Sequence, residues 1–177
     1  MKYHNITKDD MLNGDGLRVV LWTSGCSHHC KNCQNPITWD CNNGIPFDSD
    51  AKIELFEALD HDYISGLTLS GGDPLYISNR DTIFKLCNDF REVFGDNKTI
   101  WLYTGYTYEE VKKEFPQILR VIDVMIDGKF VEELKDNNYH WAGSTNQRII
   151  NVKESIKQNK IIPFYSRKED VYGNFVN

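Results

Sequence analysis

Short apolar runs rich in β-branched and aromatic residues recur along this chain and predict strands. The five clearest runs are residues 17–24, 64–70, 99–104, 121–126 and 148–152. Apolar residues at helical spacing predict helices between them, at 51–59, 78–94 and 108–115. The longest helix has Ser78 or Asn79 as its predicted N-cap and ends at Gly95. The third follows Thr107, a capping residue type, and ends before Pro116.

Strands that alternate with helices are typical of an α/β domain with a parallel sheet and right-handed crossovers. About five to six mostly parallel strands are too few for a closed eight-stranded barrel, so the pattern predicts an open partial (β/α) barrel. A length of 177 residues with 40% apolar residues is enough for a packed core. No repeat, low-complexity tract or linker interrupts the pattern. The prediction is one domain over residues 1–177.

Charge and cysteine content narrow the class of protein. The formal net charge is −6, the sequence pI is about 5.3 and Lys and Arg form no cluster, which argues against nucleic acid and favours protein and small-molecule partners. No apolar run approaches the roughly 18 residues of a membrane helix, and the first residues lack a signal-peptide pattern. Five cysteines, three of them in one loop, suit metal binding in a reducing compartment. These features predict a cytoplasmic protein without a membrane partner.

The three crowded cysteines are the strongest chemical signal in the chain. Cys26, Cys30 and Cys33 follow the first predicted strand at the spacing Cys-x-x-x-Cys-x-x-Cys. Three thiolates in one short loop can hold three corners of a cubane 4Fe-4S cluster and leave one iron without a protein ligand. A vacancy of this kind implies that a small molecule coordinates there, as an open zinc position does.

Other interpretations of the cysteines remain open at this point. A structural zinc site would need a fourth ligand such as His28, His29 or Cys41. Cys41 could also cap the fourth iron, as in a ferredoxin-like protein, or be a free thiol. Cys87 is in phase with the apolar positions of the longest predicted helix, which favours a small core residue.

Further motifs follow the other predicted strands, and they are Gly71-Gly72-Asp73, Tyr103-Thr-Gly-Tyr106 and Asp127-Gly-Lys129. Because the carboxyl ends of parallel strands meet at one edge of a sheet, we expect these motifs to face the cysteine loop. A glycine pair lets the backbone approach a ligand, although it can also form a simple turn. Lys129 could bind a carboxylate or lie solvated at the surface. Tyr103 is expected to pack in the core.

The cysteine motif resembles the signature of radical S-adenosylmethionine (SAM) enzymes. Within them the chain is most similar to the activating enzymes of anaerobic (class III) ribonucleoside-triphosphate reductases. The matching segments are Asn13-Gly-Asp-Gly16 with Arg18, Cys26 to Asn35 with His28, Thr38-Trp39, Gly71-Gly72-Asp73, Tyr103 to Tyr106, Asp127 to Phe130 and Gly143 to Arg148. Two positions differ from the usual pattern. Asp73 stands where the second motif usually has glutamate, and Asn32 stands where radical enzymes outside this subfamily often carry an aromatic residue.

The resemblance implies a 4Fe-4S cluster on the three cysteines and SAM at the open iron, with radical chemistry carried by these cofactors and no catalytic side chain. Its implied partners are a large anaerobic reductase, which receives a glycyl radical, and a low-potential electron donor such as flavodoxin. It places Asn13 to Gly16 near the active-site mouth, and it leaves Asn146 to Arg148 open between cofactor and partner contact. The residues assigned to SAM binding are His28, Asn32, Gly71, Gly72, Asp73, Thr104, Gly105, Asp127 and Lys129.

Two other functions stay open. One is a different small radical SAM enzyme, either an activase for another glycyl-radical protein such as a formate lyase or an enzyme that rearranges a small molecule. The chain has no additional ferredoxin-like cysteine set, which argues against the lyase activase. The other is a non-catalytic iron-sulfur or zinc module.

Overall fold

One seven-stranded sheet organises the computed structural model, which describes residues 1–165. The strands are β1 (Lys2–Asp10), β2 (Leu17–Thr23), β3 (Ile45–Pro46), β4 (Ile64–Gly71), β5 (Thr99–Tyr103), β6 (Val124–Asp127) and β7 (Arg148–Asn151). The α-helices are α1 (Ser49–Leu59), α2 (Arg80–Phe94), α3 (Tyr108–Glu114) and α4 (Val152–Gln158). Short 3-10 turns lie at Pro36–Thr38, Pro116–Arg120 and Glu132–Leu134. The five predicted strands and three predicted helices are confirmed, with ends that differ by up to three residues.

The strand order is β3-β1-β2-β4-β5-β6-β7, and the sheet is mixed. The central strands β2, β4, β5 and β6 are parallel to one another, whereas β1 pairs antiparallel with β2 and β3, and β7 pairs antiparallel with β6. The prediction of five to six mostly parallel strands was therefore wrong in number and in direction at both edges. A short turn joins β1 to β2, and no α-helix lies between β6 and β7, so neither pair has the crossover that a parallel pairing requires.

The two faces of the sheet carry different side chains because neighbouring residues of a strand point to opposite faces. On β5, Ile100 and Leu102 belong to the main core with residues of the helices, while Trp101 belongs to a smaller cluster with Val124 and Ile126. The side chain of Phe164 packs edge-to-face on Trp101, with ring centroids 5.0 Å apart. No helix within residues 1–165 has both the length and the apolar character that crossing a bilayer requires.

Arg18 occupies the second face and is fully buried. Its guanidinium donates to oxygens of Asp15, Leu67, Thr68 and Thr99, and burial lowers the pKa of Arg18 to about 9. A Cβ at Gly14 would lie 2.6 Å from Arg18 Cδ, so the glycine turn packs directly on this side chain. That turn precedes β2, on the order of 20 Å from the cysteine loop that follows the strand. The turn therefore does not lie beside the active-site mouth, where the resemblance placed it, and instead it covers Arg18.

The predicted helix ends are confirmed at three of four positions. Thr107 caps α3 in a reciprocal capping box with Glu110, and the helix ends before Pro116. Gly95 ends α2 at a φ of +56°. Asn79 precedes α2 as predicted, but its side chain makes no cap bond to the helix. The Asn79 amide instead donates to the carbonyl oxygens of Ser24 at 2.7 Å and Asp73 at 3.2 Å, because it lies between the loops described next.

Candidate functional site

Four loops meet at the carboxyl edge of the parallel strands. They follow β2, β4, β5 and β6, which are neighbours in the sheet, and they carry the cysteines, the glycine pair with Asp73, the Tyr103 to Tyr106 motif and the Asp127 to Lys129 motif. The Asp73 amide donates to the carbonyl oxygen of Gly25 at 2.7 Å, and the Gly128 amide donates to that of Tyr106 at 3.1 Å. The predicted meeting of these motifs at one edge is confirmed.

The cysteine loop folds back on the 3-10 turn at Pro36–Thr38. The amides of Gly25 and Cys26 donate to the carbonyl oxygens of Thr38 and Trp39 at 2.8 and 3.0 Å. Within the loop, His29 and Asn32 adopt left-handed backbone angles, with φ of 48° and 54°. Asparagine tolerates this conformation better than an aromatic residue, so the unusual residue at position 32 has a conformational reason.

Backbone N–H groups lie close to all three thiols. Cys33 accepts a hydrogen bond from the amide of Asn35 at 3.4 Å, and the N–H groups of His28 and His29 near Cys26 and of Phe130 near Cys30 lower the pKa of those two thiols against the larger effect of burial. Burial raises the pKa of Cys26 to about 11 and also raises that of Cys30. Both shifts favour the protonated thiol, so a metal that binds Cys26 and Cys30 must displace their protons.

Asp73 is the most connected side chain of the site and is 1% exposed. Its carboxylate accepts from His28 Nε2 at 2.7 Å and from the amide of Gly105 at 3.0 Å. The Thr104 hydroxyl lies 3.0 and 2.9 Å from the two carboxylate oxygens, and the Leu75 amide donates at 2.8 Å. One carboxylate thus joins the cysteine loop, its own loop and the loop after β5.

His28 is enclosed by the same group of loops. Its imidazole makes an edge-to-face contact with Tyr106, with ring centroids 4.6 Å apart. A Cβ at Gly105 would lie 2.4 Å from the His28 ring, so only glycine leaves room for it. His28, Thr104 and Gly105 were predicted to bind cofactor, and they are brought together here through Asp73.

The glycine pair at the end of β4 allows two backbones to touch. Gly71 has a φ of +107°, and a Cβ on Gly72 would lie 2.5 Å from the carbonyl oxygen of Gly25 and 2.7 Å from that of Thr38. Neither backbone atom can move as a flexible side chain could. The pair is therefore required for close packing on the cysteine loop, beyond its use as a turn.

The end of β6 presents one buried carboxylate and one exposed ammonium. Asp127 is 1% exposed, pairs with Arg148 through both oxygens and accepts from the Tyr108 amide at 2.7 Å. Lys129 is exposed, and its side-chain ammonium makes no hydrogen bond or ion pair with any group in residues 1–165. Its charge is close enough to Cys30 to lower the pKa of that thiol, against the larger effect of burial.

Comparison with known proteins identifies the family. Residues 12–150 match the family described as a 4Fe-4S single cluster domain, a span that contains all four loops. The anaerobic ribonucleoside-triphosphate reductase-activating protein of Enterobacteria phage T4 is 44% identical over 149 residues, which cover 84% of this chain and 93% of that protein. The chain belongs to the family of these activating proteins. Those of Escherichia coli K12 and Haemophilus influenzae are 41% and 40% identical, over 83% and 84% of this chain and 96% and 97% of theirs.

The donor set of this family member fits an iron-sulfur cluster. Three thiols with backbone N–H donors match the thiolate ligands and N–H···S bonds of such clusters. A single ion is a poorer fit, because no three His, Cys, Asp or Glu residues within positions 1–165 are grouped to hold one. A cubane binds each thiolate at a separate iron and so needs no common centre for the sulfurs.

The other histidines and cysteines that could have been ligands contact other parts of this activating-protein relative. His28 is bonded to Asp73, and His29 packs on Trp39 with ring centroids 4.8 Å apart. The Cys41 side chain contacts Tyr76, and Cys87 is fully buried, which raises the pKa of its thiol to about 12. The prediction that Cys87 is a core residue is confirmed. Two contacts of the site could not be recognised from the sequence, those of Asn79, which has the position of an ordinary helix cap, and those of the Phe130 backbone, which belongs to a matching segment that gives no sign of its contact with the cysteine loop.

Proposed function

We propose that this protein is a radical SAM activating enzyme that cleaves SAM reductively at a 4Fe-4S cluster and forms a glycyl radical on a large anaerobic ribonucleoside-triphosphate reductase. The observation that carries the proposal is the meeting of three thiols and three other strand-end loops at one edge of the sheet. It is supported by the 40–44% identity to proteins named as activating proteins of that reductase.

In this proposal Cys26, Cys30 and Cys33 hold the cluster. When bound, the cluster supplies an electron that breaks a carbon-sulfur bond of SAM, which yields methionine and a 5′-deoxyadenosyl radical that takes a hydrogen atom from a glycine Cα of the reductase. The electron would come from a low-potential donor such as flavodoxin. The protein's own contribution is to bind and orient SAM and to exclude water.

The chain's residues divide into direct and indirect contributors to SAM binding. Asp73 and Asp127 already accept several protein hydrogen bonds, so we assign them to positioning of the loops. His28, Thr104 and Gly105 act through Asp73. The backbone of Gly71 and Gly72 and the exposed side chains of Asn32 and Lys129 remain for direct contact. An ammonium without a protein partner, close to Cys30, suits the methionyl carboxylate of SAM.

We further propose that the sheet forms an open partial barrel in a single domain. Strands from Lys2 to Asn151 lie in one sheet, and within residues 1–165 its outer strands β3 and β7 do not pair with each other. The gap between them would admit the glycine segment of the reductase as an extended loop. A glycine Cα must reach the adenosyl carbon, so a closed barrel would not serve this reaction.

The test of the activity is radical transfer between purified proteins. The reduced, anaerobically reconstituted enzyme is mixed with SAM and a class III reductase, and the radical is recorded by electron paramagnetic resonance. A doublet that collapses when the reductase contains Cα-deuterated glycine is the expected result. SAM cleavage without a protein radical, together with turnover of a small molecule, would contradict the activase function. Absence of SAM cleavage by a cluster-loaded protein would favour a non-catalytic module.

Lys129→Ala is expected to weaken SAM binding without loss of iron. A charge-assisted hydrogen bond contributes about 1.5–3 kcal/mol, which corresponds to roughly one to two decades in the dissociation constant. The measurement is an anaerobic titration of the reconstituted protein with SAM. Lys135→Ala is the matched control, since Lys135 is also exposed and its side chain has no partner within residues 1–165. An unchanged dissociation constant for Lys129→Ala would show that Lys129 is a solvated surface residue without a role in SAM binding.

A further inference from the structure

The antiparallel pairing of β6 with β7 is continued by hydrogen bonds beyond the last paired residues of the two strands. Its register places Val124 opposite Asn151 and ends with Asp127 opposite Arg148. The chain then leaves the sheet at Gly128 and returns at Gln147. Residues opposite each other beyond the strand ends would be Gly128 with Gln147 and Lys129 with Asn146.

Side chains make the hydrogen bonds at these next two positions. Gln147 Nε2 donates to the carbonyl oxygen of Gly128 at 3.0 Å, and Asn146 Nδ2 donates to that of Lys129 at 2.9 Å. Together with the ion pair of Arg148 and Asp127, three consecutive residues bind three consecutive residues in the register of the strands. The side-chain amides therefore replace the backbone donors of a longer strand.

Gln147 is itself held in place by its own loop. Its side-chain oxygen accepts from the amides of Gly143 and Ser144 at 2.9 and 3.2 Å. The Tyr139 hydroxyl donates to the Gln147 carbonyl oxygen at 3.1 Å. With both ends of its amide bonded, Gln147 has one orientation, and its donor is fixed toward Gly128.

The segment that this ladder holds touches the cysteine loop on its other side. Lys31 pairs with Glu133 at 2.9 Å, and the Phe130 N–H group lies close to the Cys30 sulfur. A Cβ on Gly143 would lie 3.1 Å from the Phe130 ring, so the ring packs closely on the returning chain. Gly128 has a φ of +91°, a backbone state that few other residues would hold without strain.

We propose that Asn146 and Gln147 are positioning residues, whose side chains extend the β6–β7 ladder and hold the segment 128–130 against the cysteine loop. The Phe130 N–H group is thereby kept close to the Cys30 sulfur. The consequence for SAM rests on the proposed function, in which the same ladder keeps the Lys129 ammonium directed toward the cofactor. This assigns to the Asn-Gln pair a role within the protein, where the sequence left cofactor and partner contact open.

The test measures the ladder and the cofactor separately. Amide hydrogen exchange of the peptide covering residues 127–131 is followed by mass spectrometry in the reconstituted full chain and in the metal-free full chain. Loss of one net hydrogen bond should raise the exchange rate of this peptide roughly fivefold in Asn146→Ala and at least as much in Gln147→Ala. Asn137→Ala removes an exposed amide of the same loop that has no partner within residues 1–165 and should leave the rate unchanged.

SAM titration then shows whether the ladder acts through Lys129. Asn146→Ala should weaken SAM binding roughly fivefold, and Asn146→Ala with Lys129→Ala should bind no more weakly than Lys129→Ala alone, because contacts in series are not additive. Unchanged exchange in both amide variants would overturn the positioning role. Additive losses of SAM affinity in the double variant would overturn the proposed action of the ladder through Lys129. If Lys129→Ala binds SAM normally while exchange rises in the amide variants, the ladder stands and the proposed carboxylate contact fails.

Discussion

Cys26→Ala, Cys30→Ala and Cys33→Ala are each expected to lose the 4Fe-4S cluster and all SAM cleavage. The three thiols are the only cysteines of the loop, and a cluster that already lacks one protein ligand cannot lose a second and stay bound in its site. Iron and sulfide are measured after anaerobic reconstitution, and the reduced cluster is recorded by electron paramagnetic resonance. We expect iron content to fall close to background in all three variants.

Cys41→Ala is the matched control for this experiment. Cys41 lies just beyond the loop and outside the three-cysteine motif. A Cβ on Gly25 would come within 3.1 Å of the Cys41 Cβ, and the Cys41 side chain lies beside Tyr76. The variant should retain iron, sulfide and SAM cleavage. Loss of the cluster in Cys41→Ala, with Cys33→Ala tolerated, would overturn the ligand assignment and favour a cluster with four protein ligands.

Asp73→Ala is expected to destabilise the metal-free protein by about 3 kcal/mol or more. Removal of one partner from a buried, fully bonded polar group leaves the others without hydrogen bonds, and such changes cost roughly 3–5 kcal/mol when charge is involved. His28, Thr104 and the Gly105 amide would all lose their acceptor. Urea denaturation of the metal-free chain measures the effect without any contribution from a cofactor.

Asp62→Ala is the control, because Asp62 is exposed and has no partner within residues 1–165. It should change the unfolding free energy by less than about 0.5 kcal/mol. Asp73→Glu keeps the charge but adds a methylene group in an enclosed site, so it should give an intermediate loss through displacement of His28. A wild-type unfolding curve for Asp73→Ala would contradict the central place of this carboxylate.

The position of the site could be predicted from the sequence because it follows from chain direction. Parallel strands carry their carboxyl ends to one edge, so any loop that follows such a strand reaches that edge, whatever its residues. The spacing of Cys26, Cys30 and Cys33 predicted an iron-sulfur site, and the strand pattern predicted the edge of the sheet where it lies. The same reasoning predicts that Gly72, Thr104 and Lys129 lie at this edge.

The directions of the side chains at that edge could not be predicted. The resemblance assigns Asp73 and Asp127 to the cofactor, yet each is turned inward and bonded to the protein. A carboxylate at a strand end can face a ligand or a neighbouring loop, and the choice depends on distant donors such as His28 and Arg148. One sequence without a fold does not place those donors.

The antiparallel pairing at the two edges of the sheet could not be predicted for a different reason. β1 is largely polar, with Tyr3 and Ile6 as its buried apolar side chains, and β3 has two residues, so neither has a pronounced strand pattern. An edge strand needs few apolar side chains because only part of it is covered by the core. β7 was predicted as a strand, but its direction depends on the helix-free connection from β6.

The cysteine loop is completed by residues far along the chain, since His28 is bonded to Asp73 and Lys31 is paired with Glu133, and this separation sets an order of events during maturation. The cysteines are made early in synthesis, yet the groups that surround them arrive with Asp73, Thr104 and finally Phe130. Contacts between distant parts of a chain form late in folding because loop closure must come first. Until β6 and β7 are paired, the cysteine loop lacks the neighbours that the segment 128–133 supplies. Stable cluster insertion therefore belongs after folding of the sheet, and a truncated or nascent chain would present thiols without a finished site.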